Sequence, residues 1–598
     1  MDWCRRHSLW LVCGLALALR VAYLGEISQS PLFRHPVVDA ETYTRQASAL
    51  AAGNWLGRGE GPFWQPPLYP YFLGVIKGLF PETFWYAARL TQGILGALSC
   101  GLVVWLGRRL FSPGIGVAAG LAAAVYGPLI FYDAELLPAT LATTLNLLAL
   151  ALLVRGGNGW HWLLSGAVLG LASLAIAQSL VVAALAAAWL GWRGWQAGRA
   201  TALRRAGFLA AGVVLVLAPV SLRNYVVGGD TVLISYNGGV NFYLGNNPDY
   251  ERTVNVRPGW EWDDLVAMPF AAGVSRPSEK AAFFYQQAWA YISSQPLDYL
   301  GLLLHKARTF WQGDELGRNQ DVYYWRHYSV LLSGLLWKYG LAFPFGLVGP
   351  LALLGMGLAW RRGHSQLPLL YVAAHLAVVV AFFVADRYRL PLVPVLLLFA
   401  AEGAWWLWQS RRLAQGRWGM AGVALLLGWC NWGLPPMQMA GDAAIHYNLG
   451  KAYAEERRVP EAVEAYTRAV RLDSTYWQAW VNLGSMTAVA GRMEEAAGIF
   501  ERVTRARPGQ LEVWMNLAHA RRALQQGPAA RAAYDAALRL PSPHRPQIYL
   551  ELMGFHLQAG EFAQATEVMA QAQRDYPQDV ARIRQAYEQM QARVLGGK

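Results

Sequence analysis

The chain has 598 residues, of which 55% are hydrophobic and only 15% charged, and its formal net charge is +13. Long apolar runs in that proportion exclude a single soluble core and point to a chain that crosses a membrane many times. Its Lys and Arg fall in short clusters between apolar runs rather than along one basic face, which excludes nucleic acid as a partner.

The first element, MDWCRRHSLWLVCGLALALRVAYLG, has the basic start of a signal sequence, but Arg20 interrupts it and further apolar runs follow. It reads as an uncleaved signal anchor. Apolar stretches of about 17 to 25 residues can cross a bilayer as helices because a helix satisfies its own backbone. Eleven are expected, at 8–25, 84–107, 114–132, 135–154, 160–177, 179–193, 207–225, 334–358, 367–385, 389–409 and 418–434. The stretch PPLYPYFLGVIKGLF, 66–80, is short, opens on two prolines and carries Lys77, so it is placed along the interface. With Arg5 and Arg6 inside, this leaves the clusters at Arg108 and Arg109, Arg155, Arg193 to Arg205, Arg361 and Arg362, and Arg411 to Arg417 cytoplasmic. Letting 66–80 cross would move all the later clusters outside. The expected outer face therefore holds the loop 26–83, the turn FYDAELLPA at 131–139, the segment 226–333, DRYRLP at 386–391, and everything beyond 434. Cys4, Cys13, Cys100 and Cys430 lie in or beside apolar runs without metal-ligand spacing, and read as packing residues.

From about residue 443 the composition becomes charged and Ala-rich, and a 34-residue period appears. Tyr447, Leu449, Gly450, Ala462, Tyr466 and Ala469 mark one unit, and Trp480, Leu483, Gly484, Ala496, Phe500 and Pro508 mark the next. Trp514, Leu517, Ala530 and Tyr534 mark a third, and Tyr549, Leu552, Ala565, Ala572 and Pro577 a weaker fourth. This pattern resembles the tetratricopeptide repeat, a stacked-helix solenoid that presents a concave surface to a peptide or protein. The expected organisation is a membrane domain at 1–434, a linker at 435–442, repeats at 443–476, 477–510, 511–544 and 546–579, and a capping helix with tail at 580–598.

Just past the first span, RHPVVDAETYTRQ sets Asp39 and Glu41 at the outer surface, followed by a helical stripe that includes Tyr43. Asp39 is either a helix cap or a functional carboxylate, two roles that are compatible at one helix start. DAE recurs as Asp133 to Glu135 on the same side. Acidic groups at the rim of a membrane cavity are functional candidates by default. PLDYLGLLLHKARTFW, 296–311, is an amphipathic helix expected to lie on the membrane, with Lys306 and Arg308 at headgroup level. SYNGGVNFYLGNN, 235–247, is neither a Walker loop nor a dinucleotide fingerprint, and reads first as a turn.

DAETY after the first span, WQPPLYPYFLG, ELLP, SYNGGVNFYLGNN and RYRLPLVP before a late span, taken in order over roughly residues 8 to 430, resemble polytopic glycosyltransferases of the GT-C class. Within it, the similarity is to the bacterial branch related to protein O-mannosyltransferases and lipid A aminoarabinose transferases. The fold class expected is thus mainly α: a GT-C-like membrane bundle of about eleven spans with a C-terminal solenoid. The resemblance implies transfer of a sugar from a polyprenyl-phosphate donor to an acceptor hydroxyl outside the cytoplasmic (inner) membrane, with inversion. It gives Asp39 the role of general base and Glu135 that of holding the acceptor or a donor hydroxyl, or of assisting a metal. The leaving phosphate asks for cations, and Arg387, Arg389, Lys306 and Arg308 are candidates. Glu41, Tyr43, Asp133, Asn237, Asn241, Asn246, Asn247, Glu315 and Asn319 are candidate sugar or acceptor contacts. A divalent metal is compatible with the class but not demanded by any ligand cluster. The partners implied are the lipid-linked donor, membrane lipids and a protein acceptor bound by the repeats. Two other readings fit the same features: a ligase or polymerase using polyprenyl-diphosphate glycans, and a non-catalytic envelope scaffold.

Overall fold

The computed structural model describes residues 2–318, 321–363, 366–435, 442–541 and 545–596. It divides into two compact units, Met1–Gly441 and Asp442–Lys598. The expected linker lies almost wholly outside the described residues.

The first unit is a helical bundle, and a helix falls at each of the eleven predicted stretches. Among the described residues three helices, His7–Ile27, Phe84–Leu110 and Arg199–Val226, are long and apolar enough to cross a membrane alone. The predicted 114–132 span is broken into Pro113–Ala124 and Gly127–Ala134, bent by 54°. Pro128 explains the break, since it lacks the N–H that would continue the first helix. Two predicted starts also move. The stretch from 135 becomes helical only at Ala139, after Pro138. The stretch from 334 becomes helical at Phe345, because residues 337–343 form a two-stranded antiparallel ribbon pairing Trp337 with Phe343 and Lys338 with Ala342. The 66–80 stretch forms only Leu68–Leu79, 12 residues, or about 18 Å at the usual rise, well short of a hydrocarbon core of about 30 Å.

Close helix approach carries much of the bundle. A Cβ at Gly166 would overlap the Leu209 carbonyl, and one at Gly212 the Leu163 carbonyl, so Gly159–Ala175 and Arg199–Val226 meet backbone to backbone. The outer side of Arg199–Val226 exposes Leu203, Val214, Leu215 and Leu222, as a lipid-facing helix does. Deep in the bundle, Arg20 and Asp133 form a 2.6 Å ion pair with side chains only 3% and 5% exposed. That pair ties the first span to the broken helix.

The second unit is four helix pairs and a last helix, Val580–Gly596. The pairs are Ala443–Glu455 with Val459–Leu472, Trp477–Val489 with Met493–Ala506, Leu511–Ala523 with Gly527–Leu538, and Arg545–Gln558 with Phe562–Asp575. Ala462, Ala496, Ala530 and Ala565 are all fully buried at the crossings, where any larger side chain would force the paired helices apart.

Candidate active site

The first outer loop folds on itself. Helix Asp39–Ala51 packs on Leu68–Leu79, and Tyr43 meets Tyr69 edge to face at 5.1 Å. The residue before Asp39, Val38, has φ 55, a backbone region that a β-branched side chain rarely occupies and that persists only where its surroundings hold it. Asp39 thus opens the helix with its carboxylate turned to other elements. Its Oδ2 accepts from Arg387 Nη1 at 2.6 Å and its Oδ1 from Gln65 Nε2 at 3.1 Å. The two side chains of the ion pair are 26% and 15% exposed, which leaves them within reach of a ligand. Burial works against the Asp39 charge, but the Arg387 guanidinium outweighs it, with help from Arg318 and Gln65, and holds the carboxyl below its usual range.

Arg387 stands in the short helix Asp386–Arg389, which is fixed from both sides. The Asp386 amide donates to the Leu316 carbonyl at 3.1 Å, and Asp386 Oδ1 accepts from Tyr132 Oη at 2.6 Å and from the Arg387 amide at 2.7 Å. Its Oδ2 is buried and has no hydrogen-bond partner among the described residues. Burial, then the charge of Glu315, push Asp386 up to about 7, against the hydrogen bonds from Tyr132 and the Arg387 amide.

Glu135 follows directly on helix Gly127–Ala134. It is 5% exposed, and its carbonyl and that of Asp133 both accept from Gln92 Nε2. Arg89, whose Nε donates to the Ala134 carbonyl at 2.8 Å, supplies its counter-charge. Tyr132, which donates to Asp386 Oδ1, also feels the charges of Arg387 and Glu135, which links the 132–135 turn to the Asp386–Arg389 helix.

Several predicted residues sit elsewhere. Arg389 donates to the carbonyls of Phe310, Gln312 and Asp314 and pairs with Glu315 at 2.5 Å, both side chains 3% exposed. Its fork is filled by the protein, so neither Arg389 nor Glu315 is open to phosphate or sugar. Lys306 is fully buried, donating to Asn246 Oδ1 at 3.0 Å and the Phe382 carbonyl at 2.9 Å. Burial pulls its ammonium down to about 7. It is a tie between Pro296–Trp311 and the 382 turn rather than a surface cation. Arg308, two positions on, lies on another helix face and is exposed. Asp133 is taken by Arg20 and by Thr140 Oγ1 at 2.8 Å, inside the bundle rather than at the mouth. Asn246 and Asn247 are buried, their amides donating to carbonyls of Phe242, Ala381 and Tyr243. Asn237 and Asn241 remain partly exposed, as does Glu41, and Tyr43 is buried in its aromatic contact. Asn319 lies outside the described residues.

Gln65, Arg318, Asp386 and Tyr388, whose hydroxyl accepts from Arg387 Nη2 at 3.2 Å, were not among the candidates expected from the sequence. Gln65 stands in WQPP, within a motif already singled out. Nothing local marked Arg318. Among the described residues, no three His, Cys, Asp or Glu side chains are grouped to hold a metal.

Residues 64–222 match the family described as dolichyl-phosphate-mannose-protein mannosyltransferase, and residues 447–510 and 515–580 match the tetratricopeptide repeat. The chain thus carries a region similar to that mannosyltransferase family ahead of a region similar to tetratricopeptide repeats. The first match contains Gln65 and Glu135 and ends before Arg387. Among solved structures, the archaeal oligosaccharyltransferase AglB from Archaeoglobus fulgidus, in complex with an inhibitory peptide and a dolichol-phosphate, is 14% identical over 82% of this chain and 60% of that one, with a TM-score of 0.41. ArnT from Cupriavidus metallidurans, bound to undecaprenyl phosphate, is 17% identical over 68% of this chain and 79% of its own, with a TM-score of 0.31. MamA is 19% identical over 29% of this chain and 90% of its own, with a TM-score of 0.21. No curated protein matches the sequence.

Proposed function

We propose that the protein transfers a sugar from a polyprenyl-phosphate donor to a hydroxyl of a protein acceptor, on the outer side of the cytoplasmic membrane, with inversion. The observation that carries this reading is the contact between Asp39 and Arg387, which brings together a carboxylate and a guanidinium 348 positions apart in the chain. An alcohol is a poor nucleophile until its proton leaves, and a phosphate leaves better when its growing charge meets a cation. In this reading Asp39 takes the acceptor proton, the freed oxygen attacks the anomeric carbon, and the bond from that carbon to the phosphate oxygen breaks. Arg387 receives the phosphate. Donor phosphate competes with Asp39 for the guanidinium, so binding of donor loosens the pair and leaves the carboxylate ready as a base. Glu135 is suited to hold an acceptor or donor hydroxyl.

The topology proposed with it has eleven crossings, a cytoplasmic N-terminus and the repeats outside, where they would select the acceptor. The proposed domain division follows the sequence boundaries, 1–434 and 443–598. The direct test is transfer of labelled sugar from a set of polyprenyl-phosphate donors in membranes containing the protein. Asp39→Asn is expected to lower the rate by about 10²- to 10⁴-fold, the range for loss of a positioned base. Undiminished transfer by that variant removes Asp39 from the chemistry, and transfer of an intact oligosaccharide from a diphosphate carrier replaces the reading with a ligase.

A further inference from the structure

Arg318 belongs to no motif and lies in the loop that follows helix Pro296–Trp311. Three contacts bring this loop to the Arg387 helix: the Leu316 carbonyl accepts from the Asp386 amide, and the Gln312 and Asp314 carbonyls accept from Arg389. The Arg318 guanidinium lies 4.4 Å from the Phe383 ring centroid and accounts for no hydrogen bond or ion pair with any described residue. Its electrostatic neighbours are Tyr388, Arg387, Asp39 and Tyr250. Burial, with the like charge of Arg387 adding to it, lowers its pKa to about 10, which still leaves it charged at neutral pH.

The Phe383 ring meets Tyr388 edge to face at 5.3 Å, and the Tyr388 hydroxyl accepts from Arg387 Nη2 at 3.2 Å, so the two guanidinium groups lie around one aromatic pair. A half-buried cation with no acceptor is costly, and an arginine fork held against an aromatic face is preorganised for a planar or tetrahedral oxyanion. We infer that Arg318 and Arg387 together form a two-arginine clamp for the phosphate of the lipid carrier, with Arg318 as the ligand that matches the second charge of the product. This rests on the transferase reading above. A sugar phosphodiester carries one negative charge, and once the anomeric bond breaks the polyprenyl phosphate monoester carries close to two. The proton released by the acceptor goes to Asp39, which becomes neutral as the phosphate gains its charge. With both arginines counted, the set of Asp39, Arg318, Arg387 and phosphate is neutral before and after transfer. With Arg387 alone it would hold an excess negative charge throughout.

The test is titration of purified full-length protein with undecaprenyl phosphate, with inorganic phosphate and with phosphatidylglycerol as parallel arms. Arg318→Gln is expected to weaken undecaprenyl phosphate binding by about 10- to 100-fold, the range for one charge-assisted hydrogen bond, and to relieve product inhibition in the transfer assay. Arg318→Lys, which keeps the charge and most of the stem, is expected to stay within about tenfold of the parent. It carries the test if the Gln variant does not elute as the parent does in size-exclusion chromatography. Unchanged affinity in Arg318→Gln overturns the clamp while Arg387 and the transferase reading stand. Equal competition by phosphatidylglycerol overturns it in favour of a headgroup anchor. A parent protein that neither binds undecaprenyl phosphate nor transfers sugar sinks the transferase reading itself.

Discussion

At the scale of single residues, charge and burial separate the groups that can act from those that hold the loop in place. Asp386 and Lys306 both titrate near neutrality, in opposite senses. Asp386 keeps its proton in the fold up to about 7, whereas unfolded it loses it near pH 4. The folded state binds more protons between those values, so this group makes stability fall as pH rises from about 4 to 7. Lys306 has lost its proton above about 7 in the fold but keeps it to about 10.4 when unfolded, so it restores stability as pH rises further. Thermal unfolding of detergent-solubilised protein between pH 5 and 9 is expected to show a flatter acid side in Asp386→Asn and a flatter alkaline side in Lys306→Met. Identical slopes in parent and variants would refute the assignment. Asp39, depressed rather than raised, stays ionised over that range, so transfer is expected to show no acidic limb from this group above its ordinary range near 4. Local sequence marked Asp39, Glu135 and Arg387 because each sits in a short outer motif. It could not tell Arg387 from Arg389, two letters apart, since only the folded loop at 310–315 decides which guanidinium is filled by carbonyls.

At the scale of elements, helix positions followed apolar length, while their ends followed proline and ribbon chemistry that hydropathy does not carry. The span predicted from 135 and the one from 334 both began too early, because Pro138 and the Trp337 to Phe343 ribbon precede the helices. The repeats were more legible, since their period fixes residue type at each crossing. Gly450 faces the Tyr466 ring and Gly484 the Phe500 ring, and an added Cβ at either would lie 2.6 Å from ring carbon. Gly484→Ala is expected to destabilise the repeat unit by about 1–3 kcal/mol through overpacking, measured by urea unfolding of residues 442–598. Gly498→Ala, on an open surface, is the control and should be neutral or mildly stabilising.

At the scale of the whole molecule, the two units differ in kind: one is organised by the membrane and the other by repetition. If the repeats choose the acceptor, a chain ending at residue 435 should still transfer sugar to a small soluble hydroxyl acceptor while losing transfer to protein, read by the two assays in parallel. Equal loss of both would place the repeats in the catalytic unit. A reporter fused at residue 440 is expected outside, and a cytoplasmic signal would put the repeats on the wrong side for an outer acceptor. The bond from Asp39 to Arg387 also has a consequence in time. The carboxylate leaves the ribosome near the start of synthesis and its guanidinium arrives 348 residues later, about 20 to 70 seconds at ordinary elongation rates. In the proposed reaction the nascent chain would have its base but no completed anion site during that interval, so a half-made chain in the membrane could not consume the lipid donor.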